Sequence, residues 1–261
     1  MIRHIFILTL CVSSCIAFSS SAFSKQKNLA PTFVFVHGTF QWGGQWRLLQ
    51  DLIERAGYKT YAPTLTGLGE RENLLSKQVG LSTHVDDIVN FVSWRDLSNV
   101  ILVSHSYGGA VITGAADRLS DRIEYVVYID TVPLDHGENL IDGFGPQVEA
   151  IAKKSVDEHG DGWLIAMDAL RDPLPTMRSH PWKTYIERID LKNSPPNHGT
   201  IIVGTEANEM FGHMRNNEAP KRAKARGWEL HTVEGPHTLQ EISPSKEVVA
   251  DILLKIAQSL E

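Results

Sequence analysis

The stretch Val100-Ile-Leu-Val-Ser-His-Ser-Tyr-Gly-Gly109 decides the fold of this chain. Its first half is an unbroken apolar, largely β-branched run, which is typical of a strand buried on both faces of a parallel sheet. Its second half is mostly small residues and passes into a helical pattern over residues 107–119. A buried strand that enters a helix through so tight a turn predicts an α/β fold.

Apolar runs and helical patterns continue to alternate on both sides of this stretch. Besides the strand at residues 100–104, strands are predicted at residues 32–36, 58–62, 123–129, 200–203 and 229–233. Helices are predicted at residues 45–56, 81–94, 107–119, 219–225 and 246–259. Such alternation implies right-handed βαβ units. The sequence therefore predicts a mostly parallel sheet of about six strands with helices on both faces.

The alternation breaks after Asp130. Residues 133–198 are rich in proline and lack strand-like runs, and within them residues 150–170 have a helical pattern. We interpret residues 133–198 as a helical lid inserted over one end of the sheet. No linker or repeat divides the rest, so residues 25–261 are predicted to form one domain.

The turn after the strand at residues 100–104 presents a candidate nucleophile, Ser106. A turn this tight needs small neighbours, and Gly108 meets that need, while Ser104 stands where glycine is more usual. The turn holds the Ser106 hydroxyl clear of the backbone and directs the Tyr107 N–H to the same point, at a helix N-terminus. The alternative is that these residues only form a tight strand–helix turn.

A His-Gly pair follows the first predicted strand, in Phe33-Val-Phe-Val-His-Gly-Thr-Phe40. Gly38 allows the backbone to approach a substrate oxygen closely. The N–H of Thr39 is then expected to join the N–H of Tyr107 in an oxyanion hole. His37 is expected to pin this loop rather than to take part in the chemistry.

A serine hydroxyl needs a base to take its proton. Among the chain's histidines, His237 lies in Glu234-Gly-Pro-His-Thr-Leu-Gln240, between the last predicted strand and the last helix. This loop belongs to the carboxyl edge of the sheet and can reach Ser106, so His237 is the predicted base. No His-Glu-x-x-His or comparable metal-ligand spacing occurs, and neither a metal nor another cofactor is expected.

With these motifs the chain resembles the α/β-hydrolase superfamily, and more narrowly the branch of plant methylesterases, plant hydroxynitrile lyases and related bacterial esterases. The resemblance covers nearly all of residues 31–261. Its motifs are Phe35-Val-His-Gly-Thr, Ala56-Gly-Tyr-Lys, Pro63-Thr-Leu-Thr-Gly-Leu-Gly-Glu-Arg, Val103-Ser-His-Ser-Tyr-Gly-Gly, Ile202-Val-Gly-Thr-Glu and Pro236-His-Thr-Leu-Gln.

The resemblance leaves the position of the acid in a Ser-His-acid triad open. Many relatives have Thr-Glu-Asp or Thr-Arg-Asp after the strand at residues 200–203, but here the aspartate is replaced by Ala207. Glu206 or Glu209 is one alternative, and Asp130, which closes the strand at residues 123–129, is the other. We prefer Asp130, because an aspartate that ends a buried strand needs a hydrogen-bonding partner, which His237 would supply.

The resemblance implies carboxylic-ester hydrolysis. By the same resemblance, the related hydroxynitrile lyases have threonine at the position of Gly38 and lysine at the position of Thr238. This chain has neither of these residues at those positions. The expected substrate is a small to medium ester, apolar or aromatic. Lactone hydrolysis, a lyase-like reaction and ligand binding without catalysis remain alternatives.

Apolar side chains of the oxyanion loop and the lid are predicted to line the substrate pocket, although each could instead be lid core. They are Phe40, Trp42, Phe144, Trp163, Leu164, Met167, Met177 and Trp182.

The N-terminal segment, residues 1–24, has the order of a secretory signal peptide. Arg3 precedes an apolar run that passes into small residues. Both cysteines, Cys11 and Cys15, lie in this segment, so the mature chain would have none. A secreted or periplasmic protein is expected, with lipid anchoring through Cys15 as an alternative.

Charge and length narrow the classes of partner. The 261 residues carry a formal net charge of −6 without a long basic run, which disfavours nucleic-acid binding. The N-terminal apolar run is short for a membrane span. A small-molecule ester is the expected partner, and both a monomer and a homodimer are compatible with the sequence.

Overall fold

The computed structural model of the protein describes residues 30–166, 177–193, 196, 198–206 and 209–261, with Glu209 described in its backbone alone. The predicted signal peptide, residues 1–24, and the predicted pocket residue Met167 lie outside these ranges.

The strands form one large sheet and one short ladder. They are β1 (Thr32–Val36), β2 (Lys59–Tyr61), β3 (Val100–His105), β4 (Ile123–Ile129), β5 (Leu164–Ile165), β6 (His180–Pro181), β7 (Gly199–Gly204) and β8 (Glu229–Val233). The large sheet has the order β2-β1-β3-β4-β7-β8, and its pairs are all parallel. The β5–β6 pair is antiparallel. The prediction of a parallel sheet of about six strands is confirmed.

The helices cover both faces of the large sheet. They are α1 (Arg47–Arg55), α2 (Leu81–Trp94), α3 (Gly108–Arg118), α4 (Leu140–Phe144), α5 (Pro146–His159), α6 (Lys183–Ile186), α7 (Glu209–His213), α8 (Ala219–Arg226) and α9 (Ser245–Ser259). Apolar residues of α2, α3 and α8 form one buried core with the sheet, and those of α1 and α9 form the other. Each core removes a face of the sheet from water, which is the main source of stability in such a fold.

The lid differs from its prediction in two respects. The predicted helix at residues 150–170 is wrong at residues 160–166, because α5 ends at His159, and residues 167–170 lie outside the described part of the chain. Asp161 and Gly162 follow with φ values of 50° and 73°, a conformation through which a right-handed helix does not continue. The chain then enters β5, which pairs with β6, so the lid contains a strand pair that the sequence pattern did not indicate.

Among the described residues, no helix combines the length and apolar character needed to cross a membrane.

Candidate active site

The carboxyl end of β3 leads directly into Ser106. This residue has a φ of 52°, which is uncommon for a residue other than glycine, and its N–H donates to the Ile129 carbonyl at 3.2 Å. Ser104 is completely buried, and its hydroxyl donates to the Val127 carbonyl at 3.3 Å. A serine therefore fits the position where glycine is usual, because it is small and its hydroxyl has a partner.

Gly108 allows α3 to start against the end of β1. A Cβ atom at this position would lie 2.5 Å from the Val36 carbonyl oxygen and 2.8 Å from that of His37. Both atoms belong to the backbone and cannot move aside without displacing the strand. The close approach brings the N-terminus of α3, and with it the Tyr107 N–H, to the same sheet edge as the loop after β1.

His37 fixes the orientation of the loop after β1. Its Nε2 accepts from the Leu65 N–H at 3.0 Å, so the proton is on Nδ1, which donates to the Gly38 carbonyl at 2.9 Å. The C=O and N–H of a trans peptide point in opposite directions, so this bond turns the Thr39 N–H away from His37. Burial lowers the pKa of His37 to about 3, which keeps the ring neutral. His37 thus pins the loop.

The His-Gly loop borders Ser106 directly. A Cβ atom built on Gly38 would lie 3.1 Å from the Ser106 Cβ. The Thr39 hydroxyl bonds to the Tyr185 hydroxyl of α6 at 2.7 Å, which joins the loop to the lid. Burial raises the pKa of Tyr185 to about 12, so its phenol remains a neutral hydrogen-bonding group. Backbone N–H groups of Thr39 and Tyr107 are thereby held at one edge of the sheet.

Asp130 and His237 form a buried hydrogen-bonded pair. The His237 Nδ1 lies 2.5 Å from the Asp130 Oδ2, and the Asp130 Oδ1 also accepts from the Gly204 N–H at 2.9 Å. Asp130 is completely buried, whereas the His237 side chain is 18% exposed. Since Nδ1 donates to the carboxylate, Nε2 of the neutral ring is free to accept a proton.

Two aromatic rings support the imidazole of His237. The ring of Phe211 stacks on it with centroids 3.7 Å apart, and the ring of His105 lies 4.6 Å away. The His105 Nε2 donates to the His237 carbonyl at 2.9 Å, which connects β3 to the loop after β8. Burial lowers the pKa of His105 to about 3, so it acts as a neutral donor.

Ser106 and His237 line the same cavity, which has a volume of about 400 Å³. Most of the surrounding side chains are apolar and come from the lid and α7. The lining residues are Thr39, Phe40, Gln41, His105, Ser106, Leu140, Phe144, Val148, Ile151, Ala152, Ser155, Ile165, Met177, Tyr185, Met210, Phe211, His237 and Thr238. An apolar cavity with a few polar groups at one end is typical of a small-molecule site.

The predicted pocket residues are only partly in this cavity. Phe40, Phe144 and Met177 line it, but Trp42, Trp163, Leu164 and Trp182 do not. The ring of Trp42 packs over Gly44, that of Trp163 lies 5.9 Å from the Lys77 ammonium, and that of Trp182 contacts Tyr185. Composition identified apolar residues of the lid, but the direction of each side chain depends on turns that sequence spacing does not fix.

Several residues of the site were not predicted. Tyr185, His105 and Phe211 contact predicted site residues, and Arg215 binds the Asp130 carboxylate. Phe211 and Arg215 follow β7, outside the predicted lid. Their signal in the sequence is weak, because a short helix and a π-helical turn (Met214–Glu218) place them.

The structure also bears on the other candidate acids. The Glu206 side chain is exposed, and it is the Glu206 backbone carbonyl, not the carboxylate, that accepts from Arg215. The Glu209 side chain lies outside the described part of the chain. Asp130 is therefore the carboxylate that the described structure brings to His237.

Buried neutral histidines predict a marked acid sensitivity of the fold. His37 and His105 have pKa values lowered to about 3 by burial, and burial also lowers the pKa of His84 and His180. The unfolded chain takes up protons at these residues below about pH 6.5, while the native state does not. The stabilisation from His37 and His105 is therefore complete above pH 6.5 and is lost as the pH falls towards about 3, and that from His84 and His180 is lost in the same direction.

We expect His37 and His105 each to steepen the fall in the free energy of unfolding by up to about 1.4 kcal/mol per pH unit between about pH 6.5 and 5, and His84 and His180 to act in the same direction. Urea unfolding, followed by tryptophan fluorescence, measures this slope. His180→Phe removes a ring whose nitrogens have no hydrogen-bonding partner among the described residues, so it should flatten the slope. His136→Gln, at a 66% exposed side chain, is the control. Equal stability at both ends of this interval would contradict the expectation.

Comparison with known proteins agrees with this architecture. A carbendazim hydrolyzing esterase from Nocardioides sp. (strain SG-4G) is 41% identical over 109 residues, which are 42% of this chain and 45% of the relative. The pFDCC methylesterase MES16 of Arabidopsis thaliana is 28% identical over 211 residues, 70% of this chain and 79% of the relative. The matched stretch thus spans less than half of the first relative and about four fifths of the second.

Solved structures show the same fold. An extracellular alpha/beta-hydrolase from a Paenibacillus species superposes with a TM-score of 0.67 at 22% identity, covering 86% of this chain and 98% of that one. The crystal structure of MES16 superposes with a TM-score of 0.63 at 18% identity, covering 87% and 99%. The model of the alpha/beta hydrolase family matches residues 33–251, and this chain belongs to that family.

Proposed function

We propose that this protein is a serine carboxylesterase that acts through an acyl-enzyme. The observation that carries the proposal is the Asp130–His237 pair, whose histidine lines the same cavity as Ser106. Two relatives with names that include esterase or methylesterase support an ester substrate.

The proposed reaction has two half-reactions. In the first, the Ser106 Oγ attacks the ester carbonyl carbon while the His237 Nε2 takes the hydroxyl proton. The carbonyl oxygen becomes an oxyanion, which the N–H groups of Thr39 and Tyr107 stabilise. The C–O bond to the alcohol then breaks, and His237 returns the proton to the departing oxygen. In the second half-reaction, a water molecule gives a proton to His237 and attacks the acyl carbon. The bond from that carbon to the Ser106 Oγ then breaks, the proton passes to Oγ, and the carboxylic acid leaves.

The apolar cavity favours a small to medium ester with an apolar or aromatic group. Its volume of about 400 Å³ lies in the range of small-molecule sites. Leu140, Phe144 and Val148 of the lid contribute apolar surface, so burying a hydrocarbon chain there is favourable. Thr238 lines the cavity next to the proposed base and brings no charge that would assist an anionic leaving group.

A series of p-nitrophenyl esters from acetate to decanoate tests the activity and the cavity together. We expect kcat/KM to rise with chain length and then to fall when the chain exceeds the cavity. Ala152→Leu, in the lining of the cavity, should lower kcat/KM for the longer esters by about tenfold and leave acetate little changed. Lys154→Leu, at a 71% exposed position of the same helix, is the matched control.

Two outcomes would contradict the esterase. One is cyanide release from a cyanohydrin without ester turnover, which would indicate a lyase. The other is tight ligand binding without turnover of either substrate and without labelling of Ser106 by a fluorophosphonate, which would indicate a binding protein.

We also propose that the mature protein is exported. The support is the charged, apolar and small-residue order of residues 1–24. Residue 25 would then be the N-terminus of the secreted chain, unless lipid attachment at Cys15 anchors it.

A further inference from the structure

Arg215 binds both oxygens of the Asp130 carboxylate. Its Nε donates to Oδ1 at 2.8 Å and its Nη2 to Oδ2 at 2.5 Å. The side chains are 6% and 0% exposed, so this is a buried, bidentate ion pair. The Nη1 also donates to the Glu206 carbonyl at 2.5 Å, which fixes the third edge of the guanidinium. The carboxylate that receives the His237 Nδ1–H is thus held in one plane by a permanent cation.

Such a cation stabilises the resting state of the proposed triad. His237 must be neutral to accept the serine proton, and a neutral imidazole does not balance the charge of Asp130. Burying a carboxylate without a counter-charge costs free energy. Protonation of a neighbouring imidazole reduces this cost, because it places a positive charge beside the carboxylate. Burial alone would raise the pKa of Asp130, but the hydrogen bonds from His237 and Arg215 outweigh it and leave that pKa below its ordinary value.

The other groups that face Asp130 do not supply this charge. His105, at the end of β3, is a neutral donor. In the described part of the chain after β7, the Gly204 N–H donates to Asp130, and α7 contributes the uncharged ring of Phe211, which stacks on His237. Among the described groups that contact the pair, the fixed positive charge comes from Arg215.

We propose that Arg215 is a positioning residue of the esterase, which keeps Asp130 ionised and in plane so that the carboxylate holds the His237 Nδ1–H and leaves Nε2 to act as the base. The proposal rests on the proposed function, because it takes Asp130 and His237 as acid and base. Removing the cation leaves the carboxylate to attract a proton onto His237, and the protonated imidazole cannot act as a base. The acid limb of the activity profile should therefore move to higher pH.

The test is the pH dependence of kcat/KM for p-nitrophenyl butyrate, with enzyme concentrations set by fluorophosphonate titration. In Arg215→Met the acid-side midpoint should move up by about one pH unit, as the loss of an adjacent opposite charge predicts. Arg215→Lys keeps a charge without the fork and should shift it less. Lys221→Met removes the same charge from a 71% exposed position of α8 and should leave the midpoint in place.

A loss of titratable enzyme with an unchanged midpoint in Arg215→Met would overturn the proposal, since it would show a role in stability alone. If the methionine variant yields no folded protein, Arg215→Gln, which keeps hydrogen-bond donors but removes the charge, takes its place, and an unchanged midpoint in that variant would do the same. Failure of the proposed function would look different. In that case Ser106→Ala would still hydrolyse the ester, so there would be no Ser106-dependent hydrolysis for the Arg215 variants to change.

Discussion

Replacing Ser106 by alanine is expected to lower kcat/KM for p-nitrophenyl butyrate by at least about 10⁴-fold. The hydroxyl is the atom that the proposed reaction bonds to the acyl group, and alanine offers no substitute. The remaining N–H donors of Thr39 and Tyr107 would still polarise a bound ester, so a small residual rate over water is expected. Fluorophosphonate labelling, read by the mass of the peptide that contains residue 106, should disappear in the same variant.

The neighbouring serine provides a matched control for this loss. Ser104→Ala removes a buried hydroxyl two residues earlier, whose bond to the Val127 carbonyl is 3.3 Å long. We expect a cost of about 1 kcal/mol in stability and little change in kcat/KM. Ser106→Ala itself should not disturb the turn. Residue 106 has a φ of 52° with serine in place, and the alanine side chain is smaller than that of serine. A variant Ser106→Ala that retains a substantial part of the activity would exclude this serine as the nucleophile.

The sheet could be predicted from the sequence because its strands are short, apolar and bounded. The run at residues 123–129 corresponds residue for residue to β4, and the patterns at residues 32–36 and 229–233 to β1 and β8. Burial of β1 and β4 allows few polar interruptions, and this makes the ends of these strands visible, whereas β8 is an edge strand and largely exposed. The predicted site residues follow from these ends, since parallel strands present their carboxyl ends at one edge.

The lid and the support of the site could not be predicted in the same way. The helical pattern at residues 150–170 contains no proline, and the turn at Asp161 and Gly162 that ends α5 depends on local φ values rather than on periodicity. Arg215 is one of many basic residues in the sequence, and only a π-helical turn directs it at Asp130. Such contacts join residues 85 positions apart, and one sequence contains no information on which pair meets.

The register of the sheet explains why Asp130 rather than a residue after β7 reaches His237. His105 pairs with Ile129 across β3 and β4, so Ser106 and Asp130 leave adjacent strands at the same level. The end of β7 contributes a backbone donor from Gly204 and the carbonyl of Glu206, which binds Arg215. The residues that end β7 thus bind the Asp130 carboxylate and the guanidinium of Arg215 through their backbone.

Asp130→Asn is expected to lower kcat/KM by about 10⁴-fold, whereas Glu206→Gln should change it by less than about threefold. An asparagine amide that turns its NH₂ towards His237 favours the imidazole tautomer with the proton on Nε2, which cannot take the serine proton. The Glu206 side chain is exposed, and Arg215 binds the backbone carbonyl of this residue. Glu206→Gln leaves that carbonyl in place, so a small effect is expected.

Stability must be separated from chemistry in this experiment, because Asp130→Asn leaves the buried guanidinium of Arg215 without its counter-charge, at a cost of about 3–5 kcal/mol. The double variant Asp130→Asn with Arg215→Met removes both charges and should recover much of the urea resistance without recovering activity. If Glu206→Gln is inactive and folded Asp130→Asn is active, the acid comes from the end of β7 and the Asp130–His237 bond is structural. Activity that falls only in proportion to the melting temperature in Asp130→Asn, the double variant and Glu206→Gln would likewise indicate a structural role for Asp130. Removal of a catalytic carboxylate would instead abolish activity even when the variant is fully folded.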